Sequence, residues 1–194
     1  MSLVAAIIGT MVGNAGYQDP GGVNLTGNPN LSAGVVRRDY NQGYFADDTT
    51  WFNLYSPSAT THPTNIDIGQ ELNESGQDLY SIQWTGYFSP LSTTIYRFRT
   101  YSDDASYFWI GSNAVTSYST ANCNVDNGGL HGSNYVNGTP VSLTSGLYYP
   151  IRAQYGENTG GAEMKVEFTT DDGNTWTVIN NMVYDNTTAD GFVT

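Results

Sequence analysis

The chain of 194 residues carries 18 acidic side chains against six basic ones, giving a net charge of −12 and a pI near 4.1. That balance excludes a nucleic-acid binder working through phosphate contacts, which needs clustered Lys and Arg, and it disfavours docking on anionic lipid through a polybasic patch. With only 12% charged residues but 15 Tyr, 22 Gly and 4 Trp, the chain is not of the charge-rich disordered kind, and its length suits one folded domain.

The first element is an apolar run, Leu3 to Val12, interrupted by Gly9 and Thr10. No cationic leader precedes it and it is too short to span a membrane, so it reads as an arm that packs on a neighbouring chain or on its own domain. Residues 13–33 are rich in Gly, Asn and Pro without apolar periodicity, the texture of a linker or wrapped loop. The expected division is therefore 1–39 for an N-terminal arm and linker, and 40–194 for the folded domain.

Short alternating runs follow. In SIQWTGYF (81–88), Ile82, Trp84 and Phe88 share one side, and in TIYRFRTY (94–101), Tyr96 and Phe98 oppose Arg97 and Arg99. SPLST (89–93) connects these two strands. YFWI (107–110) and LYYPIRAQY (147–155) read as further strands, with Pro150 pointing to an edge position or a bulge. Residues 111–146 form a long polar excursion, and such loops tend to carry function. The clearest alternation is Ala162 to Thr169, and TTDDGNTW (169–176) then turns a hairpin. Its match to the Asp-box pattern reads as a turn brace, not as catalysis. The expected fold is all-β: an antiparallel β-sandwich of two packed sheets, with an extended N-terminal arm and long loops.

Enzyme signatures are missing. There is no phosphate-binding GxxxxGK[ST], no GxGxxG between strand and helix, and no GxSxG elbow. His62 and His131 read as surface-loop histidines, and the single Cys123 permits neither a recognisable zinc site nor an intramolecular disulfide. A non-catalytic role is expected. The adjacent acids Asp103 and Asp104 do not suit a glycosidase pair, whose carboxylates face each other across a sugar. They can aim at one hard cation, and calcium takes six to eight oxygens. Turn capping without an ion is the alternative.

The run WTGYFSPLSTTIYRFRTYSDDASYFWIG (84–111), followed by GLYYPIRAQYGENTGGAEMKVEF (146–168), resembles the lectin-like domain first named from anthrax protective antigen, a family found also in yeast flocculins and adhesins and in bacterial adhesins. GYFADDTTWF (43–52) looks like that family's opening strand. The resemblance implies a lectin-like β-sandwich in which two consecutive Asp residues, joined by a cis peptide, bind one Ca²⁺, and vicinal hydroxyls of a hexose complete its shell. Carried onto this sequence, it makes Asp103 and Asp104 metal ligands. A second loop, 156–161, supplies Asn158 or Glu157 as a further ligand and places Thr159 and Gly160 at the sugar. Tyr107, Trp109 or Tyr155, or residues of the 111–146 excursion, are expected to line the approach.

Two functions remain open at this point. One is a calcium-dependent carbohydrate-binding adhesion module whose partner is a cell-surface glycan. The other is a structural or decoration subunit of a virion or other assembly, using the sandwich as a rigid knob. The apolar arm suggests a protein partner or homo-oligomer, and the expected location is extracellular or on a virion surface, such as a phage tail fibre, with no nucleic acid and no membrane insertion.

Overall fold

A computed structural model describes residues 16–69 and 78–194. Its strands are β1 (Leu31–Ala33), β2 (Val36–Tyr40), β3 (Ala59–Thr61), β4 (Tyr80–Phe88), β5 (Thr94–Asp103), β6 (Ser106–Ile110) and β7 (Val125–Asn127). They continue with β8 (Asn134–Asn137), β9 (Val141–Leu143), β10 (Tyr149–Glu157), β11 (Glu163–Thr169), β12 (Thr177–Val178) and β13 (Met182–Asp185). All pairings are antiparallel. One sheet runs β1-β13-β4-β10-β6-β7, with β2 and β3 added along β4, and the other runs β12-β11-β5-β8, with β9 beside β5. The two sheets pack as the sandwich that the alternation predicts.

Between them lies a core of Ile82, Trp84, Phe88, Phe98, Phe108, Ile151, Tyr155 and Val166. The alternation is cleanest in β5, whose Tyr96, Phe98, Thr100 and Ser102 point inward while Arg97, Arg99 and Tyr101 face outward. Outside, the Arg99 guanidinium sits 3.9 Å from the Tyr135 ring and 4.0 Å from the Trp176 ring, and bonds Glu167 at 2.7 Å. The Arg99 charge is therefore paired within this face. Trp176 belongs to the predicted hairpin brace, where the Asp171 carboxylate accepts bonds from Thr169 Oγ1 and Thr175 N.

The other sheet is covered on both sides. Every residue of β4 and β10 is buried, including the outward-facing Gln83, Arg152 and Gln154. Residues 41–55 and 112–123 fold over this outer face and build a second core from Tyr40, Phe45, Phe52, Tyr107, Trp109 and Ala114. Arg152 reaches beneath it, donating to Ala114 O at 2.8 Å and Gln83 Oε1 at 2.6 Å, and its pKa is lowered to about 10 by burial.

Several expectations change. The segment 43–52 is not the opening strand: it is a loop ending in a 3-10 turn, Trp51–Asn53, and the opening strands lie upstream, at 31–40. The expected boundary at 39/40 falls inside β2, which pairs with β4 from Val36 to Tyr40. Residues 16–39 are thus tied to the sandwich, with Val23 bridged to Tyr148. Pro150 does not mark an edge, because β10 is central, between β4 and β6. It is tolerated near the start of the strand, ahead of Ile151 where pairing with β6 begins. The 111–146 excursion holds β7, β8 and β9, which complete both sheets. The apolar run Leu3 to Val12 and the partner role expected of it lie outside the described residues. Among those residues, no helix is long and apolar enough to cross a membrane.

Candidate metal and ligand site

The tight connection from β5 to β6 places Asp103 and Asp104 at one end of the sandwich, where the two sheets meet. The peptide bond joining them is cis, as the family resemblance implies. Strand β10 runs beside β6 and ends at Glu157, bringing a third carboxylate to the same point. One oxygen from each of Asp103, Asp104 and Glu157 lies within 4.8 Å of the others. Oxygens sharing one calcium at 2.3–2.6 Å stand no more than about 5 Å apart, so the spacing fits a single ion.

Burial raises the stakes. Glu157 is fully buried, its Oε2 accepts from Tyr155 OH at 3.1 Å, and its Oε1 has no hydrogen-bond partner. Burial first, then the neighbouring Asp104 charge, push its pKa up to about 7, although the Tyr155 bond pulls the other way. Asp103 is raised too, by burial and by Asp104. A carboxylate oxygen without a donor in a buried acidic cluster is costly, and a cation would relieve it.

The Asp104 carboxylate is gripped from two sides: His131 N donates to Oδ1 at 2.9 Å, and Asn158 N donates to Oδ2 at 3.0 Å. Asn158 in turn accepts at its carbonyl from Leu79 N at 3.1 Å. Ser133 Oγ reaches Asp103 Oδ2 at 3.4 Å. The loop 128–133 is anchored from below, where buried Asn127 Nδ2 donates to Ser102 Oγ at 3.0 Å and Ser102 bonds Ser106 at 2.7 Å.

Of the residues singled out from the sequence, Asp103, Asp104 and Glu157 converge. Asn158 contributes its backbone N–H to Asp104. Thr159 and Gly160 are exposed on the adjoining turn, with Gly160 N on Asp78 Oδ1 at 3.2 Å. The three aromatics do not line an approach. Trp109 is fully buried in the second core, donating from Nε1 to Ser119 O and Asn122 Oδ1. Tyr107 is buried in the same core and holds Asp47, and Tyr155 is fully buried beneath the cluster, 2.6 Å from the Asp103 carbonyl. Buried rings cannot stack on a sugar.

Two residues escaped the sequence reading. His131, expected on a free surface loop, is half-buried, and its backbone holds Asp104. Asp47 follows Ala46 in a pair of left-handed non-glycine residues, φ 51° and 61°, and its Oδ1 accepts from Tyr107 OH at 3.0 Å and Gly129 N at 3.1 Å. The Asp-Asp sequence at 47–48 was the available signal, but its placement depends on contacts 60 and 82 residues away.

A two-sheet β-sandwich with an acidic cluster at the end of one strand connection is the lectin-like fold that the sequence resemblance names. Residues 80–170 match the GLEYA domain family. Solved structures agree on the fold. The Epithelial Adhesin 9 A domain from Candida glabrata, in complex with Galβ1-4GlcNAc, superposes with a TM-score of 0.65 at 18% identity, over 87% of this chain and 95% of that one. A PA14 sugar-binding domain from an RTX adhesin gives 0.60 at 17% identity, over 77% of this chain and 96% of that one. An anti-sigma factor domain-containing protein gives 0.60 at 20% identity, and this chain, over 79% of its length, spans only 48% of that larger one. No curated protein matches the chain.

Proposed function

We propose that this chain is a non-catalytic, calcium-dependent glycan-binding module that serves adhesion at an exterior surface, of a cell or of a virion. The observation that carries this reading is the convergence of Asp103, Asp104 and Glu157 within 4.8 Å, with a buried Glu157 oxygen that has no donor. Three carboxylates make an all-oxygen donor set, which suits a hard cation. Calcium bound there supplies a positive centre toward which hydroxyl oxygens of a sugar turn their lone pairs. The residues of the chain do the rest: Asp104 is held by two backbone N–H groups, and Tyr155 fixes the Asp103 carbonyl. The GLEYA match and the sugar-bound adhesin with the same fold support the choice of glycan over other hydroxyl-rich ligands.

The test is a glycan array read with millimolar calcium and again with chelator, on the wild type and on Asp103→Asn. Retention that needs calcium and disappears in the variant supports the reading. Retention indifferent to chelator overturns the calcium dependence, and the absence of retention on any glycan overturns the sugar ligand in favour of a structural knob.

A further inference from the structure

The cation cluster does not end the site. Gly129 N holds Asp47 Oδ1 at 3.1 Å and His131 N holds Asp104 Oδ1 at 2.9 Å, so one short segment of loop is strung between the two carboxylates. Its N–H groups are two residues apart and stand at most about 7 Å from each other. Asp47 is fixed from the other side by Tyr107 OH at 3.0 Å, and the left-handed pair Ala46–Asp47 sets its direction. Two bonds to Oδ1 leave this carboxylate with further acceptor capacity. Between the two anchored positions stands Leu130, 63% exposed. Exposed leucine at that point is not required by packing, since the loop is already held by Asn127, Gly129 and His131.

We infer that Asp47 and Leu130 form the far wall of the ligand site and select the sugar: Asp47 accepts a hydroxyl of the bound pyranose on the side away from the cation, and Leu130 meets the ring's C–H face. This deepens the proposed function and rests on it. A pyranose is amphipathic in the matching sense, with hydroxyls around its rim and C–H groups on its faces. The positions at which the loop meets the Asp47 carboxylate, Leu130 and the Asp104 carboxylate follow one another along it, the mix of acceptor and apolar groups that such a ring calls for. The ligand class that follows is a neutral pyranose offering vicinal hydroxyls at one edge and a hydroxyl donor across the ring. An acidic sugar would bring its own carboxylate against Asp47 and be rejected.

The experiment compares wild type, Asp47→Ala and Leu130→Ser on a glycan array at calcium concentrations that saturate each protein, with calcium binding measured separately by calorimetry using the metal alone. For the sugar retained best, a set of monodeoxy analogues is then titrated. The expected result is that Leu130→Ser weakens retention about three- to tenfold. One deoxy analogue should lose at least tenfold against the wild type and almost nothing against Asp47→Ala, which removes both acceptor and donor and so identifies the hydroxyl that bonds Asp47. Circular dichroism of both variants checks the fold. If wild type binds sugars and both variants keep its array profile and deoxy sensitivities, the far wall is wrong while the cation reading stands. If wild type takes calcium but retains no glycan, the proposed function itself fails, and the wall with it.

Discussion

The hydroxyl of Tyr155 lies 2.6 Å from the backbone carbonyl of Asp103 and 3.1 Å from Glu157 Oε2, so its single proton goes chiefly to the carbonyl and is shared with the carboxylate, linking two members of the acidic cluster from beneath. Its pKa is driven up by burial and by Tyr80. It therefore remains a hydroxyl donor wherever the protein is folded.

Tyr155→Phe should keep the fold and weaken the site. The ring stays in the core, but the Asp103 carbonyl loses its donor, at about 1–3 kcal/mol of stability. Calcium affinity should fall roughly tenfold, as for loss of a residue that orients a metal ligand. Urea unfolding and calorimetric calcium titration read the two effects separately, and unchanged calcium affinity would show that Tyr155 only packs.

Glu157 makes the cation-free protein sensitive to pH. Its folded pKa of about 7 lies above the ordinary value of 4.5, so the folded state holds the proton more tightly than the unfolded one. Stability contributed by this group is fully present below pH 4.5 and is lost as pH rises through 7, on the order of 2 kcal/mol. Calcium binding should show the opposite trend, strengthening by up to about tenfold per pH unit until Glu157 is ionised near pH 7. Urea midpoints at pH 5, 6 and 7.5, with and without calcium, test both slopes.

Replacing Asp104 by Asn is not a neutral substitution here. The two carboxylate oxygens accept from His131 N and Asn158 N, and an amide offers only one acceptor, turning its NH₂ toward the other N–H. Asp104→Asn should lose calcium binding and also about 1–3 kcal/mol of stability. Asp103→Asn, at the more exposed partner, should lose calcium with a smaller stability cost. Denaturant midpoints of the two variants give the comparison.

Gly156→Ala should unseat the loop that carries Asp47. A Cβ at Gly156 would lie 2.5 Å from Phe45 and 2.7 Å from Tyr44, inside any real contact distance. Overpacking of this kind costs about 1–3 kcal/mol. The loss should appear in thermal unfolding together with weaker glycan retention, because Phe45 and Tyr44 lead directly into Ala46 and Asp47.

Local pattern was enough for the architecture. Alternating burial in β5 and β11, the Thr169–Trp176 turn chemistry and the acidic pair at a strand end are properties of neighbours along the chain, and the two-sheet sandwich and the position of Asp103 and Asp104 could be read from them. Alternation failed where a strand is covered on both faces. In β6 and β10, Tyr107, Trp109 and Tyr155 looked available to a ligand, yet residues 41–55 and 112–123 return over the sheet and bury Tyr107 and Trp109 in a second core, while Tyr155 faces the first. No period along the sequence encodes a cover supplied from 60 residues away. The same holds at the site. Glu157 and the backbone of His131 meet Asp103 and Asp104, and Asp47 reaches the same loop at Gly129, only because the end of β10 and separate loops converge at one edge of the sandwich, and burial there, not residue type, is what leaves a Glu157 oxygen without a donor and raises that carboxyl to about 7.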